Sequence, residues 1–362
     1  MRPILRFALS LFLTLAAAEM AGRLYGYFFV APEKVWRWTN FAQDMNVDLF
    51  SGSIYPAKPD DIVGFVPQPG RHQGRDHSVV TIDKKFIRSN GQPQPQRPEI
   101  LAVGDSFTYG DQVSDDQTWP AALERLMGRP VINAGVFGYG LDQTVLRAEM
   151  LIGRSVPDTL VVSFIPDDID RSEMKVRTGV SKPYFSLDPK GQLVLHTPQE
   201  SAQALEGNRA KAAAWLLSKT RDVLGYSYLV HEIAFRLFPE SWLSNRFSLK
   251  AHGDGDAVTC KLLERLRLLP VKQMILLAQY PSHMVVAGKR GERTEKLLAC
   301  GERLGFQIVD SFPGLKDMLQ NHPLDFATLY MGHMSPAGNQ WIAELLARSL
   351  RISGTEPKSA GD

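Results

Sequence analysis

A doubly wound α/β fold, with a parallel sheet covered by helices on both faces, is the architecture that this sequence predicts. From residue 99 onward, short apolar runs alternate with longer amphipathic stretches, the pattern of strands joined by crossover helices. The run Thr159–Phe164 is almost wholly apolar, as a strand buried on both faces requires. The run Ile100–Val103 ends at a Gly-Asp-Ser turn, and ligands bind at such carboxyl ends of parallel strands.

The individual elements follow in the order that this fold needs. Strands are predicted at Ile100–Val103, Val131–Asn133, Thr159–Phe164, Val271–Ala278 and Phe306–Val309. Helices are predicted at Trp119–Met127, Leu141–Ile152, Val258–Leu268, Glu295–Leu304 and from Pro336 onward. Pro120 falls in the first turn of its helix, where proline is tolerated. The last helix has Ser335 as N-cap and Pro336 at the first helical position, which are both preferred there.

Three regions do not follow this alternation of strands and helices. Residues 31–97 are rich in Pro, Gly and Asp, so a small β-rich N-terminal region is expected, ending in a linker at Asn90–Pro98. Residues 171–255 form an insertion in which Lys211–Phe238 is amphipathic and predicted to be helical. This insertion can extend the core, lie on a membrane surface or cover the site as a lid. Residues 353–362 are predicted to be a disordered tail.

The N-terminal 30 residues predict export. Arg2 and Arg6 precede a mostly apolar run over residues 7–18, whose length suits a signal peptide. The alternative is an uncleaved membrane anchor that continues through Glu19 and Arg23, which can neutralise each other on a helix. Both interpretations keep the basic end in the cytoplasm and place the rest outside, in the periplasm of a Gram-negative cell. A buried helix of a cytosolic domain is the remaining alternative.

Composition excludes several classes of function. The 362 residues carry a net charge of +2 without a basic stripe, so no nucleic-acid partner is predicted. No Cys/His cluster has metal-site spacing and no phosphate loop follows the strand at residue 103, so no metal or cofactor is predicted. Cys260 and Cys300 are the only cysteines. Two separate buried thiols are favoured, and a disulfide is the alternative in an exported protein.

Four segments that lie at strand or helix ends carry candidate chemistry: Gly104–Thr108, Asn133–Gly140, Ile165–Asp168 and the loop around His333. A hydroxyl beside free backbone N–H groups suits a nucleophile, because those groups can hold an oxyanion. An imidazole can take the hydroxyl proton and return it to a leaving group. Over about residues 98–350, these segments resemble the SGNH (GDSL-type) hydrolase family, whose fold is a flavodoxin-like three-layer sandwich.

The resemblance implies a role for each matching residue. Ser106 matches the family's nucleophile, and its own N–H joins the oxyanion hole. Gly138 matches the oxyanion-hole glycine, where a side chain would obstruct the substrate oxygen. His333 matches the catalytic histidine, because it precedes the final helix in a Ser-Pro-x-Gly context.

Two positions depart from the family pattern. Asp167 stands where the family has an oxyanion-hole Asn, and an ionised carboxylate only accepts hydrogen bonds. Tyr330 and Met331 stand where the family has its catalytic acid. Asp325 or Asp310 is therefore left to orient the imidazole, unless a backbone carbonyl does so in a Ser-His dyad.

Three functions remain open from the sequence. The first is an exported serine esterase that acts through an acyl-serine, with an acylated cell-envelope glycan as the substrate that family and location imply. The second is an O-acyltransferase that passes the acyl group to a polysaccharide. The third is a glycan-binding module with an impaired site, because the acid and the oxyanion Asn are both missing from their usual positions.

Overall fold

The structure is a computed structural model, and it describes residues 2–29, 56–92, 99–177, 180–200, 216, 219–237, 242 and 248–352. The chain divides into two compact units. Unit 1 comprises Met1–Asp48, Val176–Ser181 and Ala202–Leu249, and unit 2 comprises Leu49–Lys175, Lys182–Ser201 and Lys250–Asp362. The predicted tail, the first half of the predicted β-rich region and most of the predicted linker lie outside the described residues.

The secondary-structure elements are numbered along the chain. The strands are β1 Ala57–Asp60, β2 Gly64–Pro67, β3 Gly70–Gln73, β4 Val79–Ile82, β5 Ile100–Val103, β6 Val131–Asn133, β7 Thr159–Phe164, β8 Met174–Arg177, β9 Val180–Ser181, β10 Tyr184–Leu187, β11 Leu193–His196, β12 Leu249–Lys250, β13 Gln273–Ala278, β14 Gln307–Asp310, β15 Tyr330–Met331 and β16 His333–Met334. The helices are α1 Arg2–Phe29, α2 Ser106–Tyr109, α3 Trp119–Met127, α4 Leu141–Ile152, α5 Asp167–Arg171, α6 Tyr228–Leu237, α7 Gly255–Leu266, α8 Ser282–Val286, α9 Glu292–Arg303, α10 Phe312–Asn321, α11 Pro323–Thr328 and α12 Pro336–Ile352.

A five-stranded parallel sheet forms the centre of unit 2, in the order β14-β13-β7-β5-β6. Every residue of β5 and β7 is buried, as their continuous apolar sequences predicted. Helix α7 packs against both α4 and α9 in one layer of helices, and α3 belongs to the other. Helix α12 packs against α3 and completes the second of these layers. The predicted doubly wound, three-layer α/β fold is confirmed.

The segment before β5 forms two antiparallel hairpins, β1–β2 and β3–β4, within unit 2. Asp60 shapes the first turn, because its side chain accepts hydrogen bonds from the N–H groups of Ile62 and Val63. The segment is tied to the sheet at the free edge of β6, where Arg88 N donates to the Asn133 carbonyl at 3.1 Å. The carboxyl ends of β5 and β6 therefore lie beside this N-terminal segment.

The insertion after α5 is only partly helical in the described residues. β10 and β11 form an antiparallel hairpin, while residues 219–224 and α6 are helical, as the amphipathic pattern predicted. Residues 225–227 form a turn between these two helical stretches, so the single predicted helix over 211–238 is interrupted there. Residues 211–215, 217, 218 and 238 lie outside the described residues.

The two cysteines form a disulfide, so the favoured prediction of two separate thiols was wrong. Cys260 on α7 and Cys300 on α9 are bonded, with their Cα atoms 5.9 Å apart. The two helices pack side by side on one face of the sheet. The sequence places the cysteines on two helices but does not show which faces of those helices meet.

Candidate active site

Ser106 is presented at the carboxyl end of β5, as the first residue of the short helix α2. Asp105 caps this helix, because its Oδ1 accepts the Phe107 N–H at 3.0 Å. The Asp105 carboxylate thus binds the N–H of the second residue of α2. Among the described residues, no group accepts a hydrogen bond from the Ser106 N–H. The nucleophile candidate therefore carries its own oxyanion donor.

The chain reverses sharply after α2 and brings a carboxylate back toward Ser106. Gly110 ends the helix at φ 83°, and Gln112 adopts φ 72°, a conformation that costs a non-glycine residue about 1 kcal/mol. Between them stands Asp111, which is buried. This strained turn is what directs the Asp111 side chain to the imidazole of His333.

Ser106, His333 and Asp111 lie in the arrangement of a catalytic triad. Ser106 Oγ is 3.0 Å from His333 Nε2. On the other side of the ring, His333 Nδ1 is 3.2 Å from Asp111 Oδ2. The imidazole side chain is 26% exposed and the Asp111 side chain 3%. The contact between the two side chains is therefore only partly accessible to solvent. This geometry allows the histidine to take the serine proton while the carboxylate stabilises the imidazolium.

Gln112 fixes the loop that carries His333. Its Oε1 accepts the His333 N–H at 2.7 Å and lies 3.2 Å from His333 Nδ1. Its Nε2 donates to the Met331 carbonyl at 2.5 Å and to Asp76 Oδ2 at 2.7 Å. Gly332 adopts φ 106° between the two clamped residues, and a Cβ there would lie 2.7 Å from Gln112 Oε1. The histidine loop thus has little freedom to move away from Ser106.

Arg88 supports the turn that carries Asp111. Its buried guanidinium donates to the carbonyls of Tyr109, Gly110 and Val113 at 2.5–2.6 Å. It also lies 3.4 Å from Asp115 Oδ1. Arg88, like Asp76, thus links the N-terminal β-rich segment to the turn that carries Asp111.

Gly138 lies in the loop after β6, which runs beside the end of β5. Val136 N donates to the Gly104 carbonyl at 3.0 Å, so the two loops are paired. Gly138 itself has φ 77°, a conformation that glycine adopts at no steric cost. The structure thus brings Gly138 to the same edge of the sheet as Ser106, where the oxyanion-hole prediction needs it.

Asp167, which stands at the family's oxyanion-hole Asn position, has an exposed side chain at the start of a helix. It is the first residue of α5, its side chain is 59% exposed, and its Oδ2 is 3.9 Å from Arg171 Nη2. The Asp167 carboxylate faces solvent, which is consistent with the chemical objection that it cannot donate.

Arg171 joins the three loops that follow β5, β6 and β7. Its Nη1 donates to Asp105 Oδ2 at 3.3 Å, to the Tyr139 carbonyl at 3.1 Å and to Asp168 Oδ1 at 2.6 Å. Burial by itself would lower the pKa of Arg171, but the charges of Asp168 and Asp105 raise it above its usual value. Burial, together with the charge of Asp105, raises the pKa of the Asp168 carboxyl well above its usual range. One guanidinium is thus shared by two buried carboxyl groups next to the nucleophile.

The structure does not bring the predicted acid candidates to the imidazole. Asp325 is exposed and lies 4.0 Å from His322 Nδ1, while Asp310 pairs with Arg290. Asp111 takes the place beside His333, so Asp325 is replaced as the acid candidate. The family pattern places the acid two or three residues before the histidine and so does not indicate Asp111, which follows Ser106 by five positions. The available signal was the Gly-Asp pair at the end of the single helical turn that starts at Ser106.

Comparisons with known proteins add a likeness of fold. No protein-family model and no curated protein matches the sequence. The chain is similar in fold to several esterases and lipolytic proteins of known structure. One is a catalytic mutant of an acetylxylan esterase from Geobacillus stearothermophilus, at 14% identity and a TM-score of 0.39 over 73% of this chain and 96% of that one. Another is a lipolytic protein of the G-D-S-L family from Desulfitobacterium hafniense, at 12% identity and 0.36 over 69% and 98%.

A third similar structure is the lipase/acylhydrolase from Enterococcus faecalis, at 15% identity and a TM-score of 0.38 over 71% of this chain and 96% of that one. Within the described residues, no group of three or more His, Cys, Asp and Glu side chains could hold a metal ion.

Proposed function

We propose that this protein is a serine ester hydrolase of the SGNH type, with Ser106, His333 and Asp111 as its triad. The observation that carries the proposal is the continuous contact from Ser106 Oγ through the imidazole to the Asp111 carboxylate, at 3.0 and 3.2 Å. Ser106 and Asp111 belong to one turn, whereas His333 comes from a segment 227 residues further along the chain, and Gln112 and Arg88 support the two segments. A binding module would have no need for such support around a hydroxyl and an imidazole.

The reaction follows from this geometry. Ser106 Oγ attacks the ester carbonyl as its proton passes to His333 Nε2, and the N–H groups of Ser106 and Gly138 hold the oxyanion. The C–O bond to the alcohol breaks, and the imidazolium gives its proton to the leaving oxygen. Water then repeats the sequence on the acyl-serine, releasing the acid and the free hydroxyl of Ser106. Asp111 stabilises the imidazolium in both halves.

The finer proposal concerns location and substrate. An apolar helix at the N-terminus supports export, and an exported esterase of this type would meet acylated glycans of the cell envelope. Release of acetate from an O-acetylated glycan, compared with its de-acetylated form, tests this substrate class. Turnover that depends on an added oligosaccharide acceptor would instead indicate acyl transfer.

A fluorophosphonate probe tests the nucleophile directly. The full-length protein should be labelled on Ser106, and the Ser106→Ala and His333→Ala variants should not be labelled. His322→Ala is the matched control, because His322 is exposed and lies away from the triad contacts, and it should label at the wild-type rate. If a folded wild-type protein is not labelled, or if His333→Ala labels as fast as His322→Ala, the proposal is wrong.

A further inference from the structure

The described part of unit 1 contains a helix, α1, with two charges in its second half. Over Pro3–Phe28, α1 is long and apolar enough to cross a membrane. A rise of 1.5 Å per residue makes the stretch from Pro3 to Gly22 about 30 Å, the thickness of the hydrocarbon core. Glu19 therefore falls within that thickness, where an unsatisfied carboxylate would be costly.

The carboxylate of Glu19 finds its hydrogen-bond donors at the start of α6. Its carboxylate accepts hydrogen bonds from Ser227 Oγ at 2.6 Å, from Tyr228 N at 2.8 Å and from Leu229 N at 3.0 Å. The backbone N–H groups at the start of a helix have no partner within that helix, and the helix dipole favours a negative charge there. Glu19 thus caps a helix that follows it by some 200 residues in the sequence.

Arg23 completes the arrangement. Its Nε donates to Glu19 Oε1 at 2.7 Å, and its Nη2 donates to the Tyr226 carbonyl at 3.1 Å. The pair of charges is therefore neutralised within unit 1 rather than by water. This is the condition under which ionisable side chains are tolerated in a membrane-spanning helix.

Two glycines let the helices approach closely. A Cβ at Gly26 would lie 2.2 Å from Tyr228 Oη, and one at Gly22 would lie 3.3 Å from Leu229 Cδ1. These glycines are four residues apart and so share one face of α1. Small residues at this spacing are typical of packed helices in membranes.

Near the contact between α1 and α6, large apolar side chains remain exposed to solvent. One side of α6 packs on Trp242, whose Nε1 donates to His231 Nδ1 at 3.1 Å. Large apolar side chains elsewhere in the segment are exposed, namely Leu216, Val223, Leu224, Tyr226, Ile233 and Leu237. The most apolar part of α1 is itself exposed along its length.

We propose that α1 is retained as a membrane anchor, and that residues 219–237 lie in the outer boundary of the bilayer, docked on α1 through Glu19, Gly22 and Gly26. The partner of the exposed apolar side chains is the lipid itself. The capped carboxylate, the paired arginine and the close glycine contacts give α1 a structural role that a discarded leader would not need. This proposal is independent of the esterase activity.

The full-length protein in vesicles of phosphatidylethanolamine and phosphatidylglycerol tests both parts. Its intact mass should show that the apolar N-terminus is present. Because both native cysteines are in the disulfide, a spin label can be placed on Val223→Cys or Leu237→Cys alone. Molecular oxygen should relax these labels more strongly than a water-soluble nickel complex. Leu268→Cys, an apolar position of unit 2 that is 85% exposed, is the matched control and should show the reverse.

A pair of variants tests the contact between Gly26 of α1 and Tyr228 of α6. Gly26→Leu should displace α6, so that labels at Val223 and Leu237 become as accessible to nickel as the label at Leu268. Adding Tyr228→Ala removes the clashing ring and should restore the wild-type pattern. A mature chain that begins after residue 18, or wild-type labels as water-exposed as the control, would overturn the proposal. Unchanged labels in Gly26→Leu would overturn the docking.

Discussion

Replacing Asp111 by Asn gives the sharpest test of the triad. The substitution keeps the size of the side chain and removes its charge. Asp111 Oδ2 lies 3.2 Å from His333 Nδ1. Two unit charges at this distance interact by about 5 kcal/mol at an effective dielectric constant of about 20. At 1.36 kcal/mol for each factor of ten, complete loss of this stabilisation would reduce kcat by nearly 10⁴.

The expected fall is somewhat smaller, about 10³-fold, because the imidazole is partly exposed and solvent screens part of the interaction. Gln112 Oε1 also remains 3.2 Å from Nδ1 and can keep the ring oriented. The charge acts mainly in the transition state, when the imidazolium forms, so KM should change little.

Initial rates with p-nitrophenyl acetate measure this effect, with Ser106→Ala giving the background rate. Asp325→Asn is the matched control, because Asp325 is exposed and its only charged neighbour in the described structure is His322. Its kcat should equal that of the wild type. A kcat for Asp111→Asn within threefold of wild type, with a large fall for Asp325→Asn, would refute the assignment of the acid.

Three other predictions concern the support of the site. Arg88→Met removes the donor for three carbonyls and the charged partner of Asp115, which keeps the Thr81 N–H as a donor, so the unfolding free energy should fall by about 3 kcal/mol, and kcat with it. Urea unfolding measures the loss, and the exposed Arg71→Met should stay within about 0.5 kcal/mol of wild type. The raised pKa of Asp168 means that the folded state holds a proton that the unfolded chain releases above about pH 4. The stability of wild type relative to Asp168→Asn should therefore decrease as the pH rises from about 4 through the folded-state pKa; a difference that stays constant or grows in urea titrations would contradict this. The disulfide closes a loop with a sequence separation of 40, so reduction should lower the unfolding free energy by up to about 4 kcal/mol, while a Cys260→Ser/Cys300→Ser variant should not respond to the reductant.

The central sheet could be predicted from the sequence because its signals are local. β5 and β7 are continuous apolar runs, and the start of α12 is marked by its cap, in which Ser335 Oγ accepts the Gly338 N–H at 3.1 Å. The strand-end rule placed Ser106 at the edge of the sheet where ligands bind. The expectation that His333 lies beside it came from the resemblance to the SGNH family.

The identity of the acid and its support could not be predicted in this way. Asp111 reaches the imidazole only because Gly110 and Gln112 adopt positive φ, and a non-glycine residue in that conformation is not recognisable from sequence. Arg88 and Arg171 act through backbone carbonyls of distant loops, which leave no pattern along the chain. The disulfide depended in the same way on which helix faces meet.

The short distance in sequence between nucleophile and acid has a consequence for synthesis. Ser106 and Asp111 belong to one turn and leave the ribosome together, whereas the base arrives with the last strand before the terminal helix. A truncated or unfinished polypeptide would hold an inert hydroxyl beside a carboxylate. In the proposed triad, partial products of translation lack the base, so reactivity is expected only once the carboxyl-terminal part of the protein has been made and has folded.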